Sequence, residues 1–327
     1  MPNALAKLLT EKDVLIADGA MGSTLLQLGL PTGVSGESWN LDHPDLVGKV
    51  HLGFADAGSD ILLTNTFSAN RFHLTQCGLA DRLRDLNMAG AAIVREIADK
   101  AGRPIVVAGS IGPLGGLLQP LGKRTVAEAE EAFLEQAEAL KAGGVDVAWI
   151  ETQLADNEMD AAIRAVGQAG LAYVATMSFD RAGRTMMGVR PEDAMRRIRT
   201  GPSKPLAFGA NCGAGPAQML DSILGLVRGA EGEVAVVAKS NCGLPVVGKD
   251  MRTSYSGTPA IMADYACLAR DAGARIIGGC CGTTALHVAA MVVALSGCPK
   301  GAPPSYEEIE RRLGPVRMTV KTAQPAS

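Results

Sequence analysis

Four of the chain's seven cysteines sit in short glycine-flanked phrases, each at the end of an apolar run. The phrases are Asn211-Cys212-Gly213, Asn241-Cys242-Gly243 and Gly278-Gly279-Cys280-Cys281-Gly282. Side chains alternate along a strand, so Cys280 and Cys281 could not face the same way if the strand continued. A turn with glycine on both sides removes that restriction. With Cys212 from a neighbouring strand end, the pair would give three thiolates and an open fourth position, the pattern of a catalytic zinc. A strained vicinal disulfide, or small buried thiols that only pack, would use the same residues. Cys242 could be a fourth ligand, and so could Asn241 through its side-chain oxygen. Cys77, Cys267 and Cys298 lie in helical or connecting segments and read as packing thiols. His43, His51, His73 and His287 form no HxxxH pair, and each reads as solvent-facing or packed on a helix.

Two carboxylates close apolar runs in a similar way. Asp18 and Glu151 could hold an ammonium group or work as an acid–base pair; N-capping or a salt bridge would be the plainer roles. The run Asp18-Gly-Ala-Met-Gly-Ser-Thr24 leads into a helix, and its free N–H groups could take a small carboxylate or phosphate. It is neither a GxGxxG loop nor a P-loop with its lysine.

Eight apolar runs position these residues: Val14–Asp18, Asp60–Thr64, Pro104–Gly109, Val145–Glu151, Leu171–Met177, Leu206–Asn211, Val234–Lys239 and Ala274–Gly279. They are apolar along most of their length, as parallel strands covered on both faces should be. Between them run Ala-rich amphipathic stretches such as Val126–Ala142. The alternation predicts an α/β fold, a single (β/α)8 barrel over residues 1–300, with a doubly wound open sheet as the rival. Joints such as Asp56–Ile61, Ala142–Val147 and Asp271–Ile276 carry a glycine where a helix would end in the left-handed conformation. Residues 301–327 read as a short helix over Pro303–Gly314, capped by Ser305 with Glu308 in the capping-box position, and then a loose tail from Met318. In a barrel the chemistry belongs to the carboxyl ends of the strands, where these cysteines and carboxylates fall.

Composition narrows the class. Thirty-one Lys and Arg against 34 Asp and Glu give a net charge of −3, so no field draws in nucleic acid or anionic lipid. Aromatic residues are 4% of the chain, too few for base-stacking platforms. No apolar stretch approaches the roughly 18 residues of a membrane span, and no secretory leader is visible. An odd cysteine count argues against a disulfide framework, which predicts a cytoplasmic protein with reduced thiols.

The phrases DGAMGSTL (Asp18–Leu25), AGSDILLTNTF (Ala57–Phe67), AGSIGPLG (Ala108–Gly115), WIET (Trp149–Thr152), GANCG (Gly209–Gly213), NCGLP (Asn241–Pro245) and GGCCGTT (Gly278–Thr284) run in order through nearly the whole chain. In these the chain resembles the homocysteine S-methyltransferases, most closely the compact bacterial betaine–homocysteine enzymes. It also resembles the homocysteine module of cobalamin-dependent methionine synthase. The resemblance implies zinc on Cys212, Cys280 and Cys281, with the homocysteine sulfur as fourth ligand and Asn241 in that position before substrate arrives. It implies that Asp18 and Glu151 hold the substrate ammonium and that N–H groups after Gly19 hold its carboxylate. No ligand role is implied for Cys242. Trp39 and Phe67 fall on the side implied for the methyl donor, betaine or a related onium compound. Two tyrosines of the animal betaine enzymes are absent, since Phe67 is followed by Ser68 and Glu151 by Thr152. The alternative donor is methylcobalamin on a separate cobalamin-binding protein, with this chain as one part of a split synthase. A cysteine-based redox or metal sensor is the remote alternative, and assembly into homo-oligomers is left open.

Overall fold

Apolar runs that are covered on both faces become parallel strands when helices can return the chain each time. The computed structural model of the protein describes residues 3–180, 182–247 and 253–316. Its strands are β1 (Leu15–Ile16), β2 (Ile61–Leu63), β3 (Val106–Ile111), β4 (Val147–Gln153), β5 (Tyr173–Met177), β6 (Ala207–Cys212) and β7 (Ala235–Ser240). They continue with β8 (Pro245–Val247), β9 (Thr253–Tyr255) and β10 (Ala274–Gly279). Eight of them, all but β8 and β9, form one parallel sheet in the order β1-β10-β7-β6-β5-β4-β3-β2. A bridge from Ala17 to Ile61 joins its two edges, with Asp60 N–H on the Ile16 carbonyl at 2.6 Å. The sheet is therefore a closed (β/α)8 barrel and not a doubly wound open sheet.

All eight expected strands are present, shifted by a few residues at their ends. The hairpin of β8 and β9, antiparallel with Val246 opposite Ser254, has no counterpart in the sequence reading. The helix Val126–Ala142 matches its expected bounds, with Thr125 and Glu128 closing a capping box. The three helix-to-strand joints do turn on left-handed glycines, Gly58, Gly144 and Gly273, with φ of 102°, 94° and 109°. Near the C-terminus the helix is Tyr306–Leu313, and Ser305 caps it through Glu308 N–H. The expected box is incomplete there, because Glu308 turns to Arg311 and Arg312 instead of its own N-cap. The tail from Met318 lies outside the described residues.

Two apolar cores follow from the alternation of strand side chains. One lies between the barrel and its helices. The other fills the barrel itself: Leu15, Ala17, Ile61, Leu63, Val106, Val147, Trp149, Val174, Val237 and Ile276. Burying each large member stabilises the fold by roughly 1.5–3 kcal/mol. The helix Ala4–Glu11 sends Leu5 and Leu8 into this inner core from below. It is pinned there by Asn3 on the Asp146 carbonyl and by Arg275 on the carbonyls of Leu9, Lys12 and Asp13. The amino-terminal end of the barrel is thus sealed, and polar groups can collect only at the other end. No described helix is long and apolar enough to cross a membrane.

Candidate metal centre and substrate site

Cys212 ends β6 and the Cys280–Cys281 pair follows β10, with β7 between these two strands in the sheet. The turn after β10 bends sharply: Cys280 N–H reaches the Ser240 carbonyl at 2.7 Å and Thr283 N–H returns to the Cys280 carbonyl at 3.1 Å. Glycine is required on both sides of it. A Cβ at Gly279 would lie 2.1 Å from the Thr283 side chain, and Gly282 sits at φ 79°. As the sequence led one to expect, this bend turns both cysteines toward one point. The sulfurs of Cys212, Cys280 and Cys281 all lie within 4.8 Å of one another, and each cysteine is free.

This donor set fits a thiophilic dication. Three sulfurs about 2.3 Å from a tetrahedral zinc must be about 3.8 Å apart, close to the observed clustering. Without such an ion the three thiols resist ionising together. Contact with Cys212, burial and neighbouring negative charge push Cys280 up to about 12. A hydrogen bond with Cys212 pulls Cys281 down, yet the adjoining Cys280 outweighs it and leaves Cys281 up at about 12 as well.

Asparagines brace the cluster. Asn241 donates to Cys212 Sγ at 3.5 Å and to the Gly213 carbonyl at 2.8 Å, while its oxygen accepts from Cys281 N–H at 3.0 Å. Asn211 accepts from Thr152 N–H and the Thr176 hydroxyl, and donates to the Thr152 hydroxyl and, at 3.7 Å, to Cys280 Sγ. Thr152 and Cys212, the residues Asn211 and Asn241 tie down, have left-handed backbones at φ 62° and 65°. Such strain costs about 1–3 kcal/mol per residue and persists only where surroundings enforce it. Tyr255, carried on β9, lies against Cys281, and sequence reasoning gave it no role.

Cys242 is separate. Its thiol donates to the Gly257 carbonyl at 3.2 Å, and burial pushes it up to about 11. Among the described residues the three-sulfur group contains neither Cys242 nor any histidine. His287 is occupied at a helix start, bonded to Thr284 N–H at 3.1 Å.

Deeper in the mouth lie the two carboxylates, both buried. Asp18 accepts from Leu63 N–H at 2.7 Å on one oxygen and from Lys239 Nζ at 2.7 Å on the other. Glu151 accepts the Ser110 hydroxyl at 2.5 Å. Burial pushes both carboxyls above their ordinary range, against the pull of Lys239. Burial also opposes the charge of Lys239, but Asp18 and Glu151 more than compensate and hold it raised. Neither Lys239 nor Ser110 was given a role from sequence. The signal for Lys239 was present, a cation closing an apolar strand two residues after the inward-facing Val237.

The turn after β1 fits closely under the β10 turn. Ala20 N–H bonds the Thr283 carbonyl at 2.9 Å, and a Cβ at Gly19 would lie 2.4 Å from that same oxygen. Trp39 is 6% exposed, its ring edge-on to His43 at 4.8 Å, within the outer core. Phe67 is 37% exposed and packs over Gly112, where a Cβ would lie 2.7 Å from its ring.

Residues 15–295 match the family model described as homocysteine S-methyltransferase. Among curated proteins, methionine synthase of Mycobacterium tuberculosis is 32% identical over 96% of this chain, and that of Mycobacterium leprae 32% over 90%. The chain spans only about a quarter of the length of these relatives, 27% and 25%. Among solved structures, the homocysteine methyltransferase MmuM from Escherichia coli superposes with a TM-score of 0.73 in its metallated form, at 24% identity. Its oxidized form gives 0.72 at 25%, and both matches cover 89% of this chain and 99% of that one.

Proposed function

The chain belongs to the homocysteine S-methyltransferase family, and from that premise we propose that it methylates homocysteine in a zinc-dependent reaction. The observation that carries this reading is the convergence of Cys212, Cys280 and Cys281 beside the buried charged groups Asp18, Glu151 and Lys239. When bound, zinc supplies a soft Lewis acid that keeps a coordinated thiol deprotonated at neutral pH. Cys212, Cys280 and Cys281 would hold it; for Asn241 to be its fourth ligand before substrate enters, the side-chain oxygen that now accepts from Cys281 N–H would have to turn to the metal. The chain's other groups orient the substrate. The carboxylates of Asp18 and Glu151 make the mouth attractive to the ammonium group, and the Ser110 hydroxyl fixes the direction of Glu151. N–H groups beyond Ala20, whose own is held by the Thr283 carbonyl, would receive the carboxylate. The substrate's sulfur then attacks an electron-poor methyl in line, and the methyl's former carrier leaves with the bonding pair. All seven cysteines are free, which supports a reducing, cytoplasmic setting.

For the donor, betaine or a related onium compound is the first reading, with Phe67 as the partly exposed aromatic face beside the mouth. Methylcobalamin on a partner protein is the second. It is favoured by the likeness to methionine synthases and by exposed apolar side chains on the loops around the mouth. Those are Val34, Phe67, Leu121, Met186 and Met187. The test is methionine formation by zinc-loaded protein from homocysteine with betaine, and separately with methylcobalamin. Cys281→Ala should lose both the zinc and the activity. No methionine with any donor, from protein carrying one zinc, would end the reading.

A further inference from the structure

The sequence resemblance treats Asp18 and Glu151 as equal partners for an ammonium group, but the structure makes them unequal. Both oxygens of Asp18 are taken, one by Leu63 N–H and the other by Lys239 Nζ. The Asp18–Lys239 pair is almost completely shielded, with side chains 4% and 3% exposed. Lys239 is held over the ring of Trp149, its nitrogen 5.6 Å from the centroid, so it stands on the apolar floor of the mouth and not at its rim. Glu151, by contrast, takes one hydrogen bond among the described residues, from Ser110.

Charges in such a place must balance. Two bare carboxylates would repel each other across a medium of low dielectric, and a lone lysine would be expelled. Together the three groups leave a single negative charge, which one incoming ammonium neutralises. We infer that Lys239 is a positioning and specificity residue: it engages Asp18 so that the substrate's ammonium group is received by Glu151 alone. This rests on the proposed use of homocysteine and goes beyond it by assigning the charge selection to a residue that does not touch the substrate.

A consequence follows for Asp18→Asn. The freed Lys239 would swing its charge toward Glu151 and compete with the ammonium group. Removing that cation as well, in D18N/K239M, should then relieve the competition. The experiment is calorimetric titration of the zinc-loaded 327-residue chain with L-homocysteine and with 4-mercaptobutanoate, which keeps the thiol and carboxylate but lacks the amine. D18N should weaken homocysteine at least about tenfold, the scale of one interfering buried charge, and change 4-mercaptobutanoate little. D18N/K239M should recover part of the loss for homocysteine. Equal zinc content and far-UV circular dichroism in each variant would show an intact barrel.

If D18N/K239M binds homocysteine as poorly as D18N, Asp18 holds the ammonium directly and the inference is overturned. If it loses 4-mercaptobutanoate as well, Lys239 holds the substrate carboxylate, which also overturns it. Should D18N not fold, E151Q leaves the Asp18–Lys239 pair intact and gives an independent test. It must abolish the preference for homocysteine over 4-mercaptobutanoate, and a surviving preference would refute the assignment. A wild-type protein that carries zinc and ignores homocysteine would instead sink the proposed function, and this inference with it.

Discussion

His51 offers a quantitative check on how dry the outer core is. It lies on the helix Pro44–Asp56, whose Phe54 packs against Gly19 in the turn after β1. The ring is fully buried, and neither nitrogen has a hydrogen-bond partner. Burial pushes its pKa down to about 3. In the unfolded chain a histidine titrates near 6.5. Above that pH both states are neutral and the residue contributes no pH dependence. Below it the unfolded chain takes up a proton that the folded protein refuses until about pH 3, so stability falls as the pH falls through this window. At pH 5 the loss from this one ring is about 2 kcal/mol. Urea unfolding at pH 7 and pH 5, for the wild type and for His51→Leu, isolates the effect. The variant's packing changes its absolute stability, and titrating carboxylates affect both proteins alike. The difference between the two pH-dependent losses should be about 2 kcal/mol. If the two proteins lose stability equally between these pH values, the ring is reached by water or by an unseen partner, and the account of this core is wrong.

Two further outcomes test the architecture of the site. In Gly209→Ala the new Cβ would fall 2.0 Å from the Val237 carbonyl oxygen on the neighbouring strand. The overcrowding should cost about 1–3 kcal/mol in chemical denaturation and, by displacing Cys212, lower the zinc retained on dialysis. Ser110→Ala removes the hydroxyl that favours the charged form of Glu151. The carboxyl should then titrate at still higher pH, so the acid limb of kcat/KM for homocysteine moves upward; an unmoved limb would mean that Glu151 does not receive the ammonium.

Most of the barrel was legible because parallel strands covered on both faces must be apolar throughout, and eight such runs stand out between helical stretches. The cysteine cluster was legible for a different reason. Only a glycine-bounded turn lets Cys280 and Cys281 face one point, and glycine is visible in sequence. Lys239 was visible but passed over, because a lysine at the end of a strand ordinarily marks an exit to water. What keeps it inside is Asp18, 221 residues away in the chain. The hairpin of β8 and β9 escaped because three-residue strands carry too little periodicity to register. The capping box at Ser305 was overread, since Glu308 had arginines within reach on the helix's own face.

The helix that closes the barrel from below also sets the order of events above. With Leu5 and Leu8 sealing the floor, the mouth is, among the described residues, the way in and out for anything bound at Glu151 or at the cysteines. Under the proposed function, homocysteine seated there would have to arrive before the methyl donor covers it. Its methylated product would then depart only after the spent donor had moved aside. For the methyl transfer proposed above, a compulsory sequence of binding and release would be written into the barrel's stopper, about 140 residues ahead of Glu151, the proposed seat that must be filled first.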